Sequence, residues 1–235
     1  MSGGLFETAS FRIAGDRGLL VEYGDSIDPE VNTKVRSMAI VIGQDSPEGV
    51  IETIPSYRSL LLVYDPAITN PAKLKEELKT LEAGLAEITI PPPDTVDIPV
   101  CYGGDFGPDI EYVAEVHDLT VKEIIQLHCE PEYLIYMVGF TPGFPFLGGL
   151  SEKLYTPRLE TPRILVPEGS VGIANNQTGI YPVASPGGWQ LIGRTPIKLF
   201  APGRSNPFLY QAGDRIKFRP ISPEEYSRLA AEEEK

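Results

Sequence analysis

"EITIPPPDTVDIPV", residues 87–100, divides the chain. Three consecutive prolines, Pro91 to Pro93, fix φ and remove three backbone donors, so the segment suits neither a helix interior nor a central strand. It reads as a stiff connector. We place a boundary there, with one domain over residues 1–90 and a second over 91–235. At 235 residues the chain is long enough for two such cores.

Upstream of the connector the apolar period alternates. "SFRIAG" (10–15) and "GLLVEYG" (18–24) read as strands joined by the turn "GDRG". "DPEVNTKVRSMAIVIGQ" (28–44) then opens with a capping Asp28 and a proline at the first helical position, and aligns Val31, Val35, Met38 and Ile42 on one stripe. "GVIETIPS" and "SLLLVYDP" follow as strands, and "NPAKLKEELKTLEAG" (70–84) repeats the cap-proline entry at Asn70 and Pro71 and ends at Gly84. The order ββαββα predicts a small α/β sandwich. "PSYRSL", with Tyr57 and Arg58, reads as a strand-entry turn.

Downstream, "DFGPDIEYVAEVHDL" (105–119) predicts a short helix entered at Pro108 and Asp109. "TVKEIIQLHCEPEY" (120–133) predicts a second, with Thr120 and Glu123 at capping-box spacing. Short β-rich runs then recur between Gly and Pro turns: "YLIYMVGF", "RILVP", "SVGIAN", "GIYPVA", "WQLIG", "PIKLF" and "DRIKFRPI". Many short strands at close spacing predict a closed or sandwiched β-structure, and the whole chain an α+β class. Among these runs lies "GFTPGFPFLGGL" (139–150), whose prolines and glycines predict irregular backbone although Phe140, Phe144, Phe146 and Leu147 each gain about 1.5–3 kcal/mol from burial. It is either a plug closing the barrel core or a loop lining a pocket, where glycine lets backbone approach a ligand.

Composition narrows the function. Hydrophobic residues make up 42% and charged residues 23%, as in ordinary globular proteins, but 23 Gly and 23 Pro exceed the average share of about one residue in eight. Twenty basic against 33 acidic side chains give a net charge of −13, which repels nucleic acid and anionic membrane surfaces. The opening "MSGGLFETASFRIAGD" lacks the basic start and apolar core of a secretory signal, so a cytosolic protein is expected. Cys101 and Cys129 form no disulfide framework or metal-ligand pair, and two histidines, His117 and His128, are too few for a histidine-built metal site. No phosphate-binding Gly-rich loop and no nucleophile elbow is present.

From Gly169 to Gly213 run 45 residues without Asp or Glu, holding Arg194, Lys198 and Arg204, with Arg158 and Arg163 just upstream. In an acidic protein such a surface suits a small anionic ligand or an acidic partner face, unless the acidic helices of the same domain neutralise it. We expect Arg158, Arg163 and Arg194 to converge on one cleft beside "GFTPGFPFLGGL". His128, late in its helix, reads as a cap favoured by the helix dipole or as an acid-base group.

"GFTPGFPFLGGL", "TPRLETPRILVPEGSVGIANNQTGIYPVASPGGWQLIGRTPIKLF" and "AGDRIKFRPI" together resemble the family of the B-type subunits of bacterial ATP-dependent 5-oxoprolinase, also described as the sporulation-kinase inhibitor KipI or allophanate hydrolase subunit 1. The likeness spans nearly the whole chain; Asn175 and Asn176 stand where the family has small residues, mostly Gly. The resemblance implies a ferredoxin-like α/β domain followed by a cyclophilin-like β-barrel. It implies ring opening of 5-oxo-L-proline to L-glutamate together with two partners, a barrel-bearing C-type subunit of the same 5-oxoprolinase and an A-type one, the chain being inactive alone. It also implies ATP, with Mg, at a site shared with the partner, since a lactam amide is a poor electrophile. On that basis His128 and Arg194 are catalytic candidates. Arg158, Arg163, Gln177, Thr178, Tyr181, Gly187, Gly188 and Trp189 are substrate-binding candidates, with Trp189 an apolar wall. Two alternatives follow from the same resemblance: an inhibitor that binds a sporulation histidine kinase, and a carboxyltransferase subunit related to urea carboxylase.

Overall fold

The computed structural model describes residues 4–85 and 92–233; the start of the proline connector, residues 86–91, lies outside them. The chain forms two compact units, Met1–Pro92 and Pro93–Lys235.

In the first unit, β1 (Leu5–Ile13), β2 (Gly18–Gly24), α1 (Pro29–Gln44), β3 (Val50–Pro55), β4 (Ser59–Tyr64) and α2 (Pro71–Ala83) follow the predicted order. All neighbours in the sheet β1-β2-β4-β3 are antiparallel. This is the ferredoxin-like order with its final strand moved to the front. Both helix entries form as the sequence dictates. The Asp28 carboxylate accepts from the N–H groups of Glu30 and Val31 at 2.8 and 3.3 Å, and the Asn70 side-chain oxygen from those of Ala72 and Lys73 at 3.1 and 3.0 Å. The stripe Val31, Val35, Met38 and Ile42 is buried against Leu60 and Leu62 of the sheet.

The second unit is built on a seven-stranded sheet. Its strands are β5 (Thr95–Tyr102), β6 (Glu132–Val138), β7 (Pro145–Gly148), β9 (Ser170–Ala174), β10 (Gln177–Ile180), β12 (Gln190–Arg194) and β13 (Arg215–Pro220). The order is β10-β9-β12-β5-β13-β6-β7, and the end strands β7 and β10 pack on one another, so the sheet nearly closes into the expected cyclophilin-like barrel. Its interior is filled by alternate residues such as Ile98, Val100, Ile173, Ile192, Ile216 and Phe218. Around it lie α3 (Ile110–Val116), α4 (Val121–Cys129), the surface helix α5 (Pro223–Glu233), and a two-stranded sheet of β8 (Arg163–Val166) and β11 (Ser185–Gly187). The capping box of α4 is complete: the Thr120 hydroxyl accepts from the Glu123 N–H, and the Glu123 carboxylate from the Thr120 N–H.

Three readings of the sequence are corrected. "TVDIPV", the end of the expected connector, opens strand β5; Pro99 fits because β13 flanks one side there, while β12 pairs only at Cys101 and Tyr102. "GFTPGFPFLGGL" is irregular only at residues 139–144 and 149–150, since Pro145 begins β7, where the missing donor is tolerated. "PIKLF" forms no strand, only an isolated bridge between Phe200 and Phe208. The pair Asn175–Asn176 makes a two-residue hairpin loop between Ala174 and Gln177, with Asn175 at φ 53°, a conformation that asparagine tolerates better than most residues.

Candidate functional site

The turn between β6 and β7 buries one phenylalanine and leaves another exposed. Its backbone is closed by the Gly139 N–H donating to Phe144 O and the Phe144 N–H donating to Thr141 O, both at 3.0 Å. The Tyr210 hydroxyl donates to Gly143 O at 2.7 Å, and Gly143 takes φ 85°, which its lack of a side chain allows. Phe144 is thereby driven inward, to 3% exposure, while Phe140 is left 76% exposed at φ 71°. A non-glycine aromatic in that region is strained, and such strain concentrates at functional sites.

Phe144 is the hub of an aromatic cluster. It meets Phe140, Phe146, Tyr181 and Trp189 edge to face, with ring centroids 5.9, 5.0, 5.7 and 5.6 Å away. Two glycines allow the rings this close. A Cβ on Gly179 would stand 3.0 Å from the Phe144 ring and 3.1 Å from Trp189, and one on Gly187 would collide with the Tyr181 hydroxyl. These rings, with Pro186, Gly187, Gly188 and Arg158, line a pocket of about 210 Å³. The Arg158 guanidinium lies 6.0 Å from the Trp189 ring centroid, at the outer reach of a cation–π contact. Burial pushes the Tyr181 hydroxyl up in pKa, against a smaller opposing pull from the Trp189 backbone, Arg158 and Arg163, so it stays a proton donor at neutral pH. The pocket therefore offers flat apolar walls, one phenol donor and one cation at its rim.

The three arginines do not converge. Arg158 lines this pocket, but the Arg163 guanidinium donates to both Asp109 carboxylate oxygens at 2.7 and 2.8 Å and to Trp189 O at 3.1 Å. Arg194 lines a different concavity, under α5, and its Nε donates to Glu168 O at 2.7 Å. Part of the acid-free stretch is met by α5, since Arg204 pairs with Glu233 at 2.8 Å.

His128 and Thr178 are also placed away from the pocket. His128 is fully buried in the barrel, stacked on Phe218 at 4.4 Å, and does not line the pocket. Its surroundings fix its tautomer. The Thr178 hydroxyl donates to Gly172 O at 3.0 Å, so His128 Nε2–H donates to Thr178 at 2.8 Å, and Nδ1 accepts from the Tyr102 hydroxyl at 2.8 Å. The Cys129 thiol completes the string by donating to the Tyr102 oxygen at 3.3 Å. Desolvation lowers the His128 pKa to about 3, and the imidazole is neutral. The two side chains named for acid-base and lactam-bonding roles thus belong to a hydrogen-bonded core network, apart from the pocket. Gln177 opens β10 at intermediate burial and does not line the pocket.

Asp109, which the sequence marks only as a helix entry, makes no side-chain cap. Its carboxylate instead joins Arg163 of β8 to the Leu191 N–H of β12 at 2.6 Å. Its partners stand 54 and 82 positions away, beyond any local pattern. Asp109→Ala is expected to cost about 2–3 kcal/mol, because it strands a half-buried guanidinium and an N–H. Urea unfolding checks this; a midpoint equal to that of the unaltered protein would show that the carboxylate holds nothing.

Fold and pocket together define a protein of two α+β units whose barrel carries an aromatic pocket rimmed by Arg158. The chain belongs to the family described as carboxyltransferase domain, subdomain C and D, whose model matches residues 9–210. It is 44% identical over 222 residues to the B subunit of 5-oxoprolinase from Bacillus subtilis, covering 90% of this chain and 92% of that one. The solved structure of the conserved uncharacterized protein PH0987 from Pyrococcus horikoshii is 45% identical, with a TM-score of 0.56, and covers 92% of this chain and 100% of its own. TTHA0988 superposes with a TM-score of 0.78 at 36% identity, covering 88% of this chain; the match takes in 40% of the TTHA0988 chain.

Proposed function

We propose that the chain is the B-type subunit of an ATP-dependent 5-oxoprolinase, acting in ring opening of 5-oxo-L-proline to L-glutamate together with A- and C-type subunits. The observation that carries this reading is the 44% identity to a 5-oxoprolinase B subunit along nearly the full length of both chains. The aromatic pocket supports it. A five-membered lactam is small and flat enough to lie against the wall that Phe144 and Trp189 form together, with its carboxylate toward Arg158 and its carbonyl toward the Tyr181 hydroxyl. Walls that exclude water strengthen both contacts and orient the amide for attack by groups from the other subunits. Gly187 and Gly188 leave the floor open to the ring.

ATP does not fit this pocket. About 210 Å³ lies below the range of about 300–1,000 Å³ typical of sites for larger ligands, and one exposed arginine cannot neutralise a triphosphate. The nucleotide and its Mg belong, in this reading, to a site completed by the partners, which is why the chain alone is expected to be inactive. The runner-up, a carboxyltransferase role, rests on the family description.

With the A- and C-type subunits supplied, Arg158→Ala is expected to lower kcat/KM for 5-oxoproline about 10- to 100-fold, the worth of a charge-assisted hydrogen bond. Wild-type complex without oxoproline turnover would overturn the assignment. Turnover unaffected by Arg158→Ala would leave the assignment to an oxoprolinase standing and remove the pocket from it.

A further inference from the structure

The second concavity of the barrel unit has no part in the reading above. It is a cleft of about 130 Å³ between the end of β12 with residues 195–198 and the stripe Tyr226, Ala230 and Glu233 of α5. Two cations face it. Arg194 spends only Nε, on the Glu168 carbonyl at 2.7 Å, and Lys198 reaches only the Glu233 carbonyl, at 3.4 Å. Among the described residues neither lies within ion-pair distance of a carboxylate, although the protein carries a net charge of −13. Of the two glutamates that line the cleft, Glu233 is turned to Arg204 at 2.8 Å, and Glu168 meets Arg194 through its backbone carbonyl.

Two cations that line one cleft and hold no carboxylate at ion-pair distance gain from an anion that supplies a direct counter-charge. Arg194 keeps both terminal nitrogens for a fork-like contact, Lys198 adds a point charge, and Tyr226 lines the same wall. We propose that this cleft is a binding site for a tetrahedral oxyanion of the phosphate class, held by Arg194 and Lys198. Its size suits a single phosphoryl group. That group could arrive as inorganic phosphate or as the terminal phosphate of a nucleotide. Helix α5 forms one wall without a fully buried residue of its own, so an entering anion needs to displace little.

The test is titration of the full chain with inorganic phosphate, followed by calorimetry and by backbone amide shifts in NMR, at low ionic strength and again at high salt. Saturable binding is expected, with shifts centred on residues 194–198 and α5, and weakened by salt as a charge contact must be. Arg194→Ala and Lys198→Ala should each weaken it about tenfold or more, while Lys79→Ala, an exposed cation of the first unit, should leave it unchanged. Lys198→Ala keeps the test valid if Arg194→Ala proves unstable. ATP binding at least as tightly, with the same shifts and the same loss on substitution, would name the nucleotide phosphate as the source. Phosphate binding without ATP binding would name the free ion. Absence of saturable binding, or equal binding by both cleft variants, overturns the proposal.

Discussion

Phe144→Ala is expected to remove about 3–5 kcal/mol from the stability of the second unit, the usual cost of emptying a buried phenylalanine site. Phe144 is 3% exposed and is the one ring of the cluster that meets Phe140, Phe146, Tyr181 and Trp189 together. Neighbouring backbone cannot collapse into the gap, because the β6–β7 turn is pinned by its own hydrogen bonds and by Tyr210. Phe144→Leu, which conserves most of the volume, should cost less than about 1.5 kcal/mol. The difference between the two variants separates volume from ring geometry. Urea unfolding followed by Trp189 fluorescence is the direct readout, since Trp189 is the sole tryptophan and lies in the cluster. An unchanged midpoint for Phe144→Ala would mean that the loop merely rests on the barrel. Loss of stability with retained turnover in the complex would mean that it plugs the core without serving the ligand.

That phenylalanine also shows where sequence reading stops. The composition of "GFTPGFPFLGGL" requires buried rings on irregular backbone, and leaves a plug and a pocket wall as alternatives. The structure makes them the same object, with Phe144 closing a small core of Val166, Ala174, Tyr181 and Leu191 from one side and lining the pocket from the other. Local rules suffice wherever the cause is local. Asp28 with Pro29, Asn70 with Pro71, and Thr120 with Glu123 each satisfy backbone donors within three residues, so their helices are legible. Strand β5 is hidden because its proline is tolerated by the absence of a second neighbour at that position, a property of the sheet and not of the segment. The arginines mislead for a related reason. An acid-free stretch says only that partners are not nearby in sequence: Arg204, within it, finds Glu233 across 29 positions, and Arg163, just upstream of it, finds Asp109 across 54. Of the site residues read from the resemblance, Arg158, Tyr181, Gly187, Gly188 and Trp189 share the pocket; His128 and Thr178 share the core instead.

His128 makes the fold sensitive to acid. Its folded pKa is lowered from 6.5 to about 3 by burial among Phe218, Tyr133 and Tyr102, while in the unfolded chain it returns to its ordinary value. Between those values the unfolded state binds a proton that the folded state refuses. Stability from this group is therefore fully present above about pH 6.5 and is lost as pH falls toward 3, at up to about 1.4 kcal/mol per pH unit. Tyr102 does not relieve the charge, because burial and then the neighbouring Cys129 raise its own pKa far above neutrality, and its hydroxyl is already the donor to Nδ1. Carboxylates titrate in the same range, so the effect is isolated by comparing the protein with His128→Gln at pH 7.5, 6.5, 5.5 and 4.5. The variant is expected to be less stable at pH 7.5, where it loses the fitted string from Tyr102 to Thr178, and to lose stability less steeply below pH 6.5. The two curves should converge by about 1 kcal/mol between pH 6.5 and 5.5. Parallel curves would show that the imidazole takes up its proton in the folded barrel, and that the sealed hydrogen-bonded core around it opens to water.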